Sequence, residues 1–539
     1  TSAATATPSR SEDAMSEQVA LRELVREVLE RRPRSKEELN KIKVELAARL
    51  KISRVPSDAE LASALVESGA DPELLKVVRK KPVKTRAGVT VLTVVLPIFN
   101  CPHGRCIYCP GGGNSGVPQS YTGMEAWVSA AREMGYDVEA QVRTQISRLR
   151  SMGHEVDKVE LIFIGGTFTA VPEEVQREYV RRALSALHGP SATLEEALAR
   201  AESSLPAISG ITVETKPDWA KAPIADRLLW MGVTRVELGV QALDDQIYRI
   251  VNRGHTVRDV EEATRDLRQR AFKVCYHLMP GLPGSDPRFD REWFRRIFED
   301  PAFRPDMLKI YPTMVVPGTP LYEMWRRGLY EPYPLEELVE LLVDWLSKVP
   351  PYVRVMRIRR EIPNDAVAAG TWPGNLREIV EAELRRRGLR CRCVRCREIG
   401  NPEVLRRVEG SRLEFEVREL RYEASGGTEV FLSYEDPQNE VLAGLLRLRL
   451  PREPVEGLTE EAALVRELHV YGPLVPVGRD SPVGWQHRGI GATLLRRAEE
   501  IAASEGYRRV LVISGVGVRR YYYRHGYTRA LPYVAKELR

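Results

Sequence analysis

Between residues 17 and 78 the apolar positions recur at intervals of three and four: Leu21, Leu24, Val25, Val28 and Leu29, then Leu39, Ile42, Leu46 and Leu50, then Leu61, Leu65, Leu74 and Leu75. That spacing marks one face of a helix. Pro33 and Pro56 interrupt it, so a small helical domain is predicted over residues 17–80. From residue 89 the rhythm changes. Short β-branched runs at 89–99, 159–164, 211–214, 235–240, 272–277 and 307–311 alternate with longer helical stretches. Strands separated by that much helix run parallel through crossovers, in an open doubly wound sheet or a full or partial barrel spanning residues 81–320. A barrel places its chemistry at the C-terminal ends of the strands. Residues 321–410 read as a helical linker rich in cysteine and arginine. In 411–539, antiparallel-type strands at 413–422, 429–433 and 442–450 precede a helix near Gly489, a strand at 510–513 and a closing tyrosine-rich helix, which together make a separate α+β domain. Residues 1–16 are small and polar without an apolar face; disorder is expected there, ahead of a start near Met15.

A chain of 539 residues has room for three or four domains at about 150 residues each. With 43% hydrophobic and 29% charged residues, the composition excludes a disordered chain and a membrane protein. The absence of any run of about 18 apolar residues, and of a basic-then-apolar leader, predicts a soluble, cytoplasmic protein with no membrane partner.

The net charge of +6 is small, but its distribution is not even. Residues 74–124 contain no carboxylate, yet hold Lys76, Arg79, Lys80, Lys81, Lys84, Arg86 and Arg105. A second tract, 385–397, holds seven arginines. A solvated face normally mixes signs. The first tract does not, and with the arginines of the second and Arg354, Arg357, Arg359 and Arg360 it is a candidate phosphate-tracking surface leading to the barrel mouth.

Of seven cysteines, six fall in two tight triplets and Cys275 stands alone, a pattern of metal or cluster sites rather than disulfides. Cys101, Cys106 and Cys109 follow the first strand. Three thiolates on one loop can hold three irons of a 4Fe–4S cube and leave the fourth open, whereas structural zinc usually closes with four ligands. Cys391, Cys393 and Cys396 offer a C-x2-C pair plus a third thiol, a candidate zinc site bracing the last two domains, with Cys275 or a distant histidine to supply the fourth ligand.

The first loop resembles the cluster motif of radical S-adenosylmethionine enzymes, with C-x4-C-x2-C where C-x3-C-x2-C is commoner. Gly165-Gly166-Thr167 resembles the glycine motif of that family. Glu214-Thr-Lys-Pro-Asp218, Arg235-Val-Glu-Leu-Gly-Val-Gln241 and Met279-Pro-Gly-Leu-Pro-Gly284 sit at later strand ends. Gln486-His487-Arg488-Gly489-Ile490-Gly491-Ala492 resembles the coenzyme A diphosphate loop of GNAT acetyltransferases, where helix N-terminal N–H groups meet an anion.

A radical S-adenosylmethionine barrel fused to a GNAT domain is similar to the family of the catalytic third subunit of Elongator. So are the strings Leu308-Lys-Ile-Tyr-Pro-Thr, Glu467-Leu-His-Val-Tyr-Gly and Gly515-Val-Gly-Val-Arg-Arg-Tyr-Tyr. The resemblance implies a partial TIM-type α/β barrel plus an α+β GNAT domain behind a small helical N-terminal domain. It implies an acyltransferase-type enzyme that uses a 4Fe–4S cluster, S-adenosylmethionine and acetyl-CoA to carboxymethylate carbon five of the wobble uridine of tRNA. A 5′-deoxyadenosyl radical would take hydrogen from the acetyl methyl, and the carbon radical would add to the base. Gly165, Gly166, Thr167, Glu214 and Gln241 would face the methionine cofactor, and residues 486–492 the coenzyme. Tyr521 and Tyr522 match the catalytic tyrosine pair, Tyr523 standing where the family more often has a basic residue. Lys309 and Tyr311 are catalytic candidates or rim residues. The alternative is a GNAT acetylating protein lysines beside a degenerate or structural barrel.

Overall fold

The computed structural model describes residues 10–50, 55–78, 88–154, 156–472 and 489–538. The chain divides into two compact units, residues 1–90 with 143–157, and residues 91–142 with 158–539.

The first unit holds the helices α1 (Arg10–Arg31), α2 (Lys36–Leu50), α3 (Asp58–Glu67) and α4 (Pro72–Val78). The three-and-four spacing does its work here: Leu24, Val28, Leu39, Ile42, Leu46, Leu61, Leu65 and Leu74 close on one another as a buried core. Ser57 starts α3 with a capping box, accepting from Glu60 N–H (3.2 Å) while the Glu60 carboxylate takes Ser57 N–H (2.6 Å). Residues 10–16, expected to be disordered, are the first turns of α1.

In the second unit a seven-stranded sheet takes its strands in sequence order: β1 (Thr90–Val95), β2 (Lys158–Ile164), β3 (Ala207–Thr215), β4 (Arg235–Gln241), β5 (Lys273–Leu278), β6 (Met307–Ile310) and β7 (Arg354–Ile358). From β2 to β7 every neighbouring pair is parallel. With β1 and β7 left as edges, the sheet is a partial barrel. β7 lies in a stretch read as helical. It is short, and Arg354 and Arg357 interrupt the apolar run that betrays a buried parallel strand.

The second sheet follows: β8 (Glu416–Ala424), β9 (Gly427–Asp436), β10 (Val441–Pro451), β11 (Ala462–Val470), β12 (Arg509–Val512), β13 (Thr528–Ala530) and β14 (Tyr533–Glu537), ordered β13-β14-β12-β11-β10-β9-β8. Only β11 and β12 pair in parallel, over Ala462–Val465 and Arg509–Val512. The tyrosine-rich helix is a single short segment, Arg519–Tyr523, and does not close the chain: β13 and β14 come after it. β11 escaped the sequence pattern because its buried face carries Arg466.

That arginine is part of a buried ionic cluster joining the two sheets. Arg466 pairs with Asp306, just before β6 (2.6 Å), and with Glu429 on β9 (2.8 Å); Arg268 pairs with Glu429 (3.0 Å), Arg449 with Glu429 (2.8 Å) and Arg447 with Glu467 (2.8 Å). Backbone packing adds to the seam. An added Cβ on Gly515 or Gly517 would overlap the backbone of Ser209 or Ile208 on β3. No helix among the described residues is long and apolar enough to cross a membrane.

Candidate functional site

The cysteine loop leaves β1 and is tied down from several sides. Gly104 N–H donates to Cys101 O (3.0 Å) and Cys109 N–H to Cys106 O (3.0 Å). Gln119 spans the loop, accepting from Cys101 N–H (3.2 Å) and donating to Gly104 O (2.9 Å). Cys106 and Cys109 are buried and Cys101 is half-buried. Beyond β2, Gly165 (φ 138°) and Gly166 (φ 127°) adopt backbone conformations that a side chain would strain. They bring bare main chain beside the first thiol: an added Cβ on Gly166 would stand 3.9 Å from Cys101 Sγ, and Thr167 Oγ1 lies 3.5 Å from it. The Cys106 thiol is held well below its ordinary pKa by a hydrogen bond from Cys109, against burial and aided by Arg253. Three cysteines beside an open main-chain ledge are the donor set a 4Fe–4S cube takes when one iron is kept for a small-molecule ligand, so the residues fit that group.

Around the mouth the strand ends carry a connected polar network. Glu214 accepts from Tyr121 OH (3.4 Å) and faces Lys309 Nζ at 3.5 Å. Lys309 is also ion-paired with Glu237, which meets His277 Nε2 at 2.7 Å. Burial would raise the Glu237 carboxyl, but Lys309 and His277 hold it well below the usual range. Burial would conversely lower the Lys309 ammonium, and Glu237 more than offsets it. Tyr311 stands edge-on to His277, ring centres 5.4 Å apart, its phenol pushed up to about 12 by burial. Gln241 ends β4 at φ 71°, and its buried Oε1 has no partner among the described residues. The loop after β5 is clamped by Asp290, whose carboxylate accepts from Gly281 N–H (2.8 Å), Tyr333 OH (2.9 Å) and Trp293 Nε1 (2.8 Å).

The thiols of Cys391, Cys393 and Cys396 lie within 4.8 Å of one another. Their loop joins both sheets, Val394 N–H donating to Val353 O (2.9 Å) and Ile399 N–H to Leu442 O (2.9 Å). Cys275, a candidate fourth ligand, is elsewhere: on β5, grouped with Glu237 and His277. Among the described residues the Glu381 carboxylate meets one member of the triplet, 3.9 Å from Cys396 Sγ. Helix Leu376–Arg386 brings it there, a relation invisible in the spacing.

In the second sheet, β11 continues to Val470 while its pairing with β12 stops at Val465. The strands part there, and the helix Ile490–Ser504 starts at that gap: an added Cβ on Gly491 would meet Val470 Cγ2 at 3.7 Å. It would also overlap Tyr521 Oη, so this phenol lies against the glycine at the helix N-terminus. Tyr522 is buried instead, edge-on to Tyr527 at 5.8 Å. Tyr523 donates to Glu202 (2.7 Å), beside the Arg519 pair with the same carboxylate. Gly489 to Ala492 are placed at this N-terminus; Gln486, His487 and Arg488 lie outside the described residues.

The basic tracts divide. Arg79, Lys80, Lys81, Lys84 and Arg86 lie outside the described residues, and Lys76 is on α4. Arg354 does not belong to a free surface: it is mostly buried and bound to Glu398 (2.6 Å), stacked on Tyr471. Its partner is 44 residues away, which is why the sequence reads it as one more free arginine. Arg357 is exposed beside Glu361 (3.2 Å), Arg359 donates to Asn364 (2.6 Å) and Arg360 to Ser120 O. In the second tract Arg386 and Arg387 pair with Glu383, Arg390 and Arg392 with Glu440, and Arg397 with Glu435. The pairs made by the exposed Arg386, Arg387, Arg390 and Arg392 are worth about 0–1 kcal/mol, weak enough for a phosphate to displace, whereas Arg397 is buried against its partner and does not belong to a free surface.

Sequence reasoning missed Glu237, His277 and Asp290 as site residues. The first was in view inside the fourth-strand string and the second at the end of the fifth strand, but neither type nor spacing says that Glu237 pairs with Lys309 and His277 with Glu237.

Comparison with known proteins bears on the fold and the family. Family models match for the ELP3 N-terminal domain at residues 18–86, the radical SAM superfamily at 95–290 and the radical SAM C-terminal domain at 305–386. The tRNA uridine(34) acetyltransferase of Methanocaldococcus jannaschii is 42% identical over 514 residues, covering 93% of this chain and 94% of that protein. Elongator complex protein 3 of Homo sapiens is 41% identical over 534 residues, covering 96% of each. The solved structure of the archaeal Methanocaldococcus infernus Elp3 with an N-terminal deletion superposes with a TM-score of 0.74 at 39% identity, over 84% of this chain and 100% of that one.

Proposed function

The chain belongs to the Elongator complex protein 3 family, and we propose on that premise that it builds a carboxymethyl group onto carbon five of the wobble uridine of tRNA, drawing the two carbons from acetyl-CoA. The observation that carries the reading is that the three-thiol loop and the parted strands β11 and β12 belong to one compact unit, whose halves are locked by buried ion pairs.

Cys101, Cys106 and Cys109 would hold a 4Fe–4S cluster, with S-adenosylmethionine seated along Gly165, Gly166 and Thr167 and facing Glu214 and Gln241. That pair of groups supplies one-electron chemistry able to take a hydrogen atom from the acetyl methyl. The protein does the rest. Lys309, fixed by Glu237, presents an ammonium at the strand ends, and Tyr311 a phenol that burial keeps protonated, both able to donate to uracil carbonyls. Arg357, in β7, and Arg360, just after it, stand on the adjoining edge of the sheet, where phosphates can be held without reading sequence. At the other site, N–H groups of residues 489–492 meet the coenzyme diphosphate at a helix N-terminus. Tyr521, lying against Gly491, is placed to protonate the departing thiolate when water releases coenzyme A. Cys391, Cys393 and Cys396 would bind zinc with Glu381 closing the tetrahedron, a brace rather than a catalyst.

The test is mass spectrometry of tRNA nucleosides after incubation with the anaerobically reconstituted protein, reductant, S-adenosylmethionine and acetyl-CoA. Carboxymethyluridine that disappears when either small molecule is left out supports the reading. Acetyl-lysine on peptide, with unchanged tRNA, would favour the protein acetyltransferase instead.

A further inference from the structure

Arg253 lies in the turn between the helices Asp245–Ile250 and Val257–Gln269, beneath the cysteine loop, and only 7% of it is exposed. Its Nε and Nη2 donate to Gly239 O on β4 (3.2 and 2.6 Å), and Nη1 donates to Cys106 Sγ at 3.6 Å. The place is built for it. An added Cβ on Gly239 would overlap Nη2, so β4 gives up a side chain to admit the guanidinium. An added Cβ on Gly254 would likewise overlap His103, whose Nε2 is 3.1 Å from the same sulfur. The turn also grips the loop directly: Ile107 N–H donates to Val251 O (3.1 Å) and Asn252 Nδ2 to Arg105 O (2.8 Å). The neighbouring buried cation, Lys216, is paired with Asp218 at 3.2 Å. Arg253 has no carboxylate within ion-pair distance among the described residues, so its charge is directed at the thiol.

We propose that Arg253 is a positioning residue that sets the reduction potential of the cluster. The inference rests on the reading that Cys101, Cys106 and Cys109 hold that cluster. Reduction adds one electron to the iron–sulfur unit, and part of the added charge lies on the ligating sulfurs. A buried N–H donor with a full positive charge, aimed at one of them, favours the reduced form and raises the potential. Burial keeps solvent from screening the effect.

The full-length protein reconstituted anaerobically would be assayed for iron and titrated against redox mediators, following the reduced-cluster EPR signal without S-adenosylmethionine. Arg253→Met is expected to keep its iron and titrate at a more negative potential than wild type. Arg253→Lys should fall between the two, keeping the charge but losing the fork that spans Gly239 O and Cys106. A methionine variant with full iron and the wild-type potential overturns the proposal. So does loss of the cluster from both variants, which would make Arg253 a loop-folding residue. A wild-type protein that takes up no iron would instead remove the cluster reading itself.

Discussion

Tyr521 and Tyr522 are adjacent and chemically identical, yet the structure gives them different surroundings. Tyr521 lies against Gly491, at the helix N-terminus where the coenzyme is proposed to sit, while Tyr522 is packed against Tyr527. Removing a general acid typically costs about 10²-fold or more in rate. Tyr521→Phe should therefore slow thioester hydrolysis by about that factor with coenzyme A affinity little changed, and Tyr522→Phe should leave hydrolysis within a few-fold of wild type; stopped-flow release of free thiol checks both. Equal effects would mean the pair acts as a unit. What the sequence shows at this scale is residue type and motif, which singles out the cysteines, Lys309 and Tyr311 as candidates. It does not show partners distant along the chain. Glu237 and His277 come to Lys309 from other strands, and Arg354 is neutralised by Glu398, so roles that depend on those meetings could not be read.

Among the elements, the six strands of the first sheet that were predicted are those with short β-branched or apolar runs alternating with helical stretches. β7 and β11 were missed because arginines interrupt them, and β13 and β14 because they are short and follow what looked like a final helix. The cysteine loop of residues 391–396 is predicted to carry zinc: metal analysis of the purified protein should find about one zinc per chain, lost on replacing Cys393 and Cys396 by serine, and no zinc in wild type would remove the assignment. The acid-free tract before β1 gives a separate expectation. Each phosphate contact contributes about 0.7–0.9 to the salt slope of binding, so changing Lys80, Lys81 and Lys84 to glutamate together should flatten that slope by about 2–3 and weaken tRNA binding. Iron content and acetyl-CoA affinity should stay as in wild type. An unaltered slope would place the RNA elsewhere.

The molecule as a whole depends on charges that no local pattern announces. Asp306 and Arg466 are 160 positions apart in sequence and fully buried together with Arg268, Arg447 and Glu429. Burial would raise the Asp306 carboxyl; Arg466 and Arg268 reverse that and hold it far below the usual range. A depressed folded-state pKa contributes stability above the unfolded value, about 3.9, that is lost as pH falls below it. Asp306→Asn leaves the arginines undercompensated and should cost about 3–5 kcal/mol. By urea unfolding, the wild-type midpoint should fall faster than the variant's as the pH drops below about 4; parallel curves would mean that the cluster contributes little.

Holding both sites in one unit has a chemical consequence, that the same two-carbon fragment should pass through both. Acetyl-CoA deuterated on its methyl group, supplied with tRNA to the reconstituted enzyme, tests this most directly. The account predicts one deuterium in the 5′-deoxyadenosine formed and two in the carboxymethyl group on uridine. Unlabelled 5′-deoxyadenosine, or an acetyl group that retains all three deuterium atoms on its acceptor, would contradict it.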